Sequence, residues 1–152
     1  MLSKYYGFVV VNNTGQTLTY NSNGRINLKI TPFYINSSTG KITYGTTVSD
    51  DCGFGAADST ADGGEDPSSE QDNSSNLYTN ALVQLEITHD EGTAADGTYD
   101  IYYEGSDATG DLPSDQSGYD DAETNQLTFV GSLLWHSSGD DDEVMSSEVF
   151  VI

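Results

Sequence analysis

Two histidines, one cysteine and a large surplus of carboxylates are the residues of this sequence that could do chemistry. His89 and His136 each close an apolar run one position before a turn-like stretch. A His pair on neighbouring strands would hold a transition metal. A strand-end His exposed or bonded to a carbonyl needs none, and that is the reading taken here. Cys52, beside Gly53 and Phe54, reads as a small partly buried residue rather than a nucleophile. A single cysteine excludes an internal disulfide and a Cys-based metal cage. Acid–base catalysis requires carboxylates held in a pocket with displaced pKa values. The carboxylates here fall in Gly/Ser-rich stretches, where solvent holds them near their ordinary values. No nucleophile elbow, phosphate-binding loop, dinucleotide fingerprint or HExxH motif occurs. No catalytic residue is expected, and no enzyme.

Calcium is the one ion the acidic loops could take, because it needs six to eight oxygen ligands. Asp58 to Gly63 resembles the start of an EF-hand loop, but the third position is Thr60, the twelfth is Ser69, and helical flanks are missing. The run Asp140 to Glu143 could hold a cation with a facing loop, or serve as a solvated acidic turn that keeps a sheet end from aggregating. Calcium remains possible on this basis. No cofactor is required.

Ten tyrosines are too many for one small core. Tyr102, out of phase with Tyr99 and Tyr103, is the best surface candidate, and exposed tyrosine suits a protein interface or a sugar platform. Trp135 is in phase with Leu127, Phe129 and Leu133 and is assigned to the core.

The elements that must position these residues are strands. Apolar runs at 6–11, 17–20, 25–35, 41–46, 81–89, 98–104, 126–136 and 144–152 give about eight strands, separated by Gly, Asn, Asp and Ser turns. Ile26, Leu28 and Ile30 alternate with polar neighbours, and Val83, Leu85 and Ile87 do the same. Pro32 flips the apolar phase and predicts a bulge or an edge. Asp96-Gly97 predicts a hairpin joining 81–89 to 98–104. Gly131 marks a bulge or a close contact. Residues 48–77 and 105–125 read as long acidic loops, the first without enough apolar bulk to bury. The expected fold is all-β, one domain over residues 1–152: an antiparallel β-sandwich, with the jelly roll as one form it could take.

Four Lys/Arg against 25 Asp/Glu give a net charge of −21. That field repels phosphates and anionic headgroups, so neither nucleic acid nor a membrane is expected as partner. The charge is also divided: Lys4, Arg25, Lys29 and Lys41 all precede Asp50, the first acid. Compositional drift would explain the division. So would a mildly basic sheet face that meets an acidic surface on a neighbouring subunit. Residues 8–11 are too short for a signal core, and no window nears the roughly 20 apolar residues of a membrane span. The chain is expected to stay in the cytosol where it is made, or to leave by lysis.

The stretch Ala95 to Ser106 (ADGTYDIYYEGS), an acidic loop, Leu127 to Leu134 (LTFVGSLL) and a terminal Val-Phe-Val-Ile resemble small β-sandwich virion proteins of tailed bacteriophages. The resemblance spans residues 81–152 and rests on hairpin grammar, with no catalytic motif. It implies a non-enzymatic structural role in the virion, such as capsid decoration (cement) or a head–tail accessory. The partners would be other virion proteins, the major capsid protein foremost, and further copies of the chain in a homo-oligomer. The residues expected to make the contacts are Tyr6, Arg25, Lys29 and Tyr102. A carbohydrate- or receptor-binding module, calcium-assisted or not, is the alternative.

Overall fold

A computed structural model describes residues 1–19, 25–55, 59–89, 96–115, 127–136 and 143–152. Within them run β1 (Tyr5–Asn13), β2 (Leu18–Thr19), β3 (Arg25–Ile35), β4 (Ile42–Tyr44), β5 (Val48–Asp50), β6 (Ser59–Thr60) and β7 (Glu65–Pro67). The later strands are β8 (Gln71–Asp72), β9 (Asn80–His89), β10 (Asp96–Ser106), β11 (Thr128–His136), β12 (Glu143–Ser146) and β13 (Phe150–Val151). The chain is all-β, and the only helical piece among the described residues is a short 3-10 turn at Pro113–Asp115.

One sheet has the order β11-β10-β1-β7, with β8 following β7 along β1. The other has the order β12-β9-β3-β4, with β13 beside β12 on β9 and β5 beside β4 on β3. β2 and β6 form a separate small ribbon. Period-two alternation sets the facing surfaces. Ile26, Leu28 and Ile30 of β3 stand opposite Ile87, Leu85 and Val83 of β9. Phe8 and Val10 of β1 stand opposite Tyr103 and Ile101 of β10. These residues meet Leu18, Phe54, Tyr99, Leu133 and Trp135 in one core. Burial of each such Leu, Ile or Phe contributes roughly 1.5–3 kcal/mol. The result is the expected two-sheet antiparallel sandwich.

Three expectations about its connections are corrected. Asp96-Gly97 does not turn a hairpin: β9 and β10 lie in different sheets, and both residues belong to β10. Gly97 is required for another reason, since a side chain there would collide with the Asn13 carbonyl and Thr14 Cα. Pro32 makes no bulge in β3, whose register with β9 continues through Thr31, Pro32 and Phe33. The irregularity sits on the facing side instead, where β4 ends at Tyr44 and β5 begins at Val48. The third correction concerns residues 48–77, which are threaded by four short strands rather than forming an exposed loop. Their bulk was underestimated, because Cys52 and Phe54 are both core residues. An Asp50–Phe54 turn, with Cys52 N–H bonded to Asp50 Oδ1 and Phe54 N–H to the Asp51 carbonyl, carries them inward.

The rest of that segment is held by polar groups, neutral and acidic, and its closure along β1 is neutral. β7 and β8 form one interrupted edge strand along β1. At the interruption Ser68 N–H donates to the Phe8 carbonyl at 2.7 Å, and Phe8 N–H donates to Ser68 Oγ at 3.0 Å. Ser68 thus replaces a missing ladder residue. The same device recurs in the second sheet between β12 and β13. There Ser147 N–H donates to the Leu85 carbonyl at 2.8 Å, and Leu85 N–H donates to Ser147 Oγ at 3.0 Å. Between β4 and β5, Gly45 N–H donates to the Pro32 carbonyl at 2.7 Å. Pro32 has no N–H, so no hydroxyl is needed. All three inner residues thus have their backbone groups satisfied or absent, as burial demands.

The first part of the segment expected as a loop at 105–125 is also fixed. β10 extends to Ser106, and residues 107–115 lie over the outer face of β1 and β10. Leu112 is buried there against the space left by Gly7. Two carboxylates hold this strap. Glu104, itself buried, accepts bonds from Ser114 N–H at 3.0 Å and Ser114 Oγ at 2.6 Å. Glu70 accepts from Thr109 Oγ1 at 2.7 Å and Gly110 N–H at 2.8 Å. Residues 116–125 of that expected loop lie outside the described residues, as do 56–58 of the first.

Candidate interaction surface

The residues expected to make contacts are separated by the fold. Tyr6 belongs to the core-facing set of β1 and is 3% exposed, T-shaped to Phe8 at 6.1 Å and stacked on Tyr103 at 6.5 Å. Burial, then the phenols of Tyr103 and Tyr78, push its pKa up to about 12. It cannot serve an interface, because β1 is an interior strand whose core-facing set is covered by the second sheet.

Arg25 and Lys29 do share the outer face of β3, yet they form no unopposed basic patch. Lys29 Nζ lies 3.3 Å from Glu86 Oε2 on β9, and Asn27 Nδ2 bonds the other oxygen of that carboxylate at 3.2 Å. The Asn27 bond first, and Lys29 after it, hold the Glu86 carboxyl below its usual range. Arg25 lines a shallow depression with Asn27, Ser49, Asp50, Asp51 and Glu86. A cross-strand acid thus meets Lys29 within the chain, and Arg25 lies in a depression that acids also line.

Tyr102 lies where expected, on the outer face of the first sheet, half-buried between Val9 and Phe129. Its ring meets Phe129 edge-on at 5.5 Å. Burial, followed by Asp100 and Glu65, raises its pKa. Phe129 had been assigned to the core with Leu133 and Trp135, and this is corrected. The β10–β11 register shifts between Ile101 and Tyr102, leaving Val130 as an extra residue. The shift turns Phe129 outward, 55% exposed, while Leu133 and Trp135 stay inside. Gly131 sits at the shift, where a side chain would collide with the Phe150 ring. Leu134, on the same outer face as Tyr102 and Phe129, is 74% exposed. Sequence reasoning missed both apolar residues. The signal was available: a bulge at Gly131 reverses the phase of Phe129 before it, and alternation with Leu133 and Trp135 places Leu134 outward.

The four sheet edges differ. The β4/β5, β7/β8 and β12/β13 edges are each broken into pieces of two to four residues. β7 adds Glu65, Asp66 and Pro67, which further discourage pairing. β11 is nine residues long and pairs only with β10 among the described residues. From Leu127 to Trp135 it carries neither a charge nor a proline, in a chain with 25 acids.

Sites for chemistry fare differently. His89 and His136 stand on strands of different sheets, and His136 Nδ1 contacts Asp96. Burial first, then Asp50, Asp66 and Asp51, raise the Cys52 thiol well above its usual value. Among the described residues no three His, Cys, Asp or Glu side chains gather as metal ligands. In the stretch that resembles an EF-hand loop, Thr60 Oγ1 bonds Asp66 at 2.6 Å, Asp62 accepts from Gly15 N–H at 2.9 Å, and Gly63 N–H bonds the Asn12 carbonyl. Those groups tie the segment to β1, to the turn after it and to β7. Asp58 and Asp140 to Asp142 lie outside the described residues. Comparison with protein-family models, with curated proteins and with solved structures found no match.

Proposed function

We propose that this chain is a non-enzymatic structural protein of a virion, acting through protein–protein contacts as a capsid decoration or head–tail accessory component. The observation that carries the reading is the exposure of Phe129 and Leu134, with Tyr102 against Phe129, on the uncharged edge strand β11, the Ser132–Asp100 bond lying between them. Exposed apolar side chains next to an unbroken edge strand mark an association surface. The net charge of −21 keeps many copies soluble until they meet their partner. The resemblance of residues 81–152 to small phage virion proteins supports the same reading, with the major capsid protein and further copies of the chain as partners.

The test is gradient sedimentation of the native protein from its source, followed by mass spectrometry. Co-migration with a large particle at a fixed ratio to a shell or tube protein is expected. Migration as a slow separate species would overturn the reading. No cofactor enters it: a melting temperature that rises in millimolar calcium and returns with EDTA would point to a ligand-binding module instead.

A further inference from the structure

We propose that the outer edge of β11 is a homotypic interface, across which two copies pair their β11 strands antiparallel and join two sheets into one. The inference deepens the assembly reading above and rests on it, by naming a second copy of this chain as the occupant of this edge.

Three observations carry it. The first is the contrast among edges. Three are broken, and at each break the inner strand's backbone is satisfied within the chain; among the described residues β11 runs unbroken from Thr128 to Leu134, with one bulge at Val130, and pairs only with β10. The second is charge. Two copies at −21 repel, so they can approach closely only where carboxylates are absent. The uncharged run Leu127 to Trp135 meets that condition, and an antiparallel twofold pairing places the same neutral run on both sides. The third is reach. Nine residues of strand span about 30 Å, room for several pairs of ladder bonds between two copies. Phe129 and Leu134 supply the apolar contacts on one side of the joined sheet.

Charge also gives the pairing a signature. Salt screens the repulsion between copies, so dimerisation strengthens as salt is added. An interface built on Arg25 and Lys29 would respond in the opposite sense.

The experiment is sedimentation equilibrium of the full chain from micromolar to millimolar concentration, at low and at high salt. A dimer is expected, tighter at high salt. Hydrogen exchange should slow with concentration at alternate amides between Thr128 and Leu134. The double variant Phe129→Lys/Leu134→Lys should weaken dimerisation roughly tenfold or more by placing like charges across the pair. Ile42→Lys, on the β4 edge, should leave it unchanged. A wild-type chain that stays monomeric at millimolar concentration in high salt overturns the proposal. So does a dimer that the double variant forms equally well. If the purified chain is monomeric yet co-migrates with a particle, this inference fails while the assembly reading stands. If it dimerises through β11 and is absent from particles, the assembly reading fails alone.

Discussion

The two edges of the first sheet meet solvent in opposite ways. On the β7/β8 side the edge strand is short, charged and interrupted, and Ser68 closes the interruption against Phe8. On the β11 side the edge strand is long and neutral, with a single bulge at Val130 and with aromatic and aliphatic side chains turned outward. The first arrangement ends a sheet; the second leaves it ready to be extended. With β11 as the association surface proposed above, stability and association fall on different flanks of one molecule, and variants on the two sides should affect different measurements.

The largest effect should come from removing both serine closures at once. In the double variant Ser68→Ala/Ser147→Ala the buried N–H groups of Phe8 and Leu85 lose their acceptors. The sites lie in different sheets, so the losses should add, to about 2–5 kcal/mol. Urea unfolding with an unchanged slope would register this as a lower midpoint. A full-stability double variant would mean that water closes the breaks as well as serine does. At the third break Pro32→Ala introduces an N–H opposite the gap between β4 and β5. A loss of about 1–2 kcal/mol is expected, from that unmet donor and from the greater freedom of the unfolded chain.

Alkaline pH distinguishes the interior from the open face. Between pH 10 and 12 an unfolded chain releases the Tyr6 proton that the folded chain retains. The folded state then binds more protons than the unfolded one, so stability falls as pH rises, by up to about 1.4 kcal/mol per pH unit for such a group. Tyr6→Phe should flatten that slope in melts across the range, and Tyr102→Phe should change it far less. The smallest effect belongs to Leu134→Lys. Its side chain is exposed, so monomer stability should stay within about 0.5 kcal/mol of wild type. A large loss would show that Leu134 supports the fold, and the division between flanks would collapse.

The long strands could be read directly because alternation reports burial. Ile26, Leu28 and Ile30 announce one face of β3, and Val83, Leu85 and Ile87 the matching face of β9. Residues 48–77 were opaque because what they bury is largely polar. Ser68 and Asn73 look like loop residues, and only the partners they meet reveal their role. Asn73 bonds the Ser3 and Tyr78 carbonyls and accepts from Tyr78 N–H, a closure between segments distant in sequence. Gly97 misled because glycine permits both a turn and a close approach, and sequence does not say which is needed. Of the four residues expected at an interface, Tyr102 alone faces an apolar outer surface. Tyr6 failed because an aromatic run on an interior strand has the same composition as one on a surface. Lys29 failed because Glu86, its partner, lies far along the chain and pairing is a property of register; Arg25 shares that acid-lined face. Phe129 was missed through one residue of slippage at Val130, whereas Leu134 follows from simple alternation with Leu133 and Trp135.

The first and last residues are anchored almost at one point. Leu2 N–H bonds the Thr79 carbonyl, and Ile152 exchanges two backbone bonds with Ala81. A tether pulled at both ends would load only the stretch from Thr79 to Ala81, leaving the body of the sandwich nearly slack. Under tension the ends should peel away long before the core yields. A force–extension trace would then show a small early release followed by one much larger rupture.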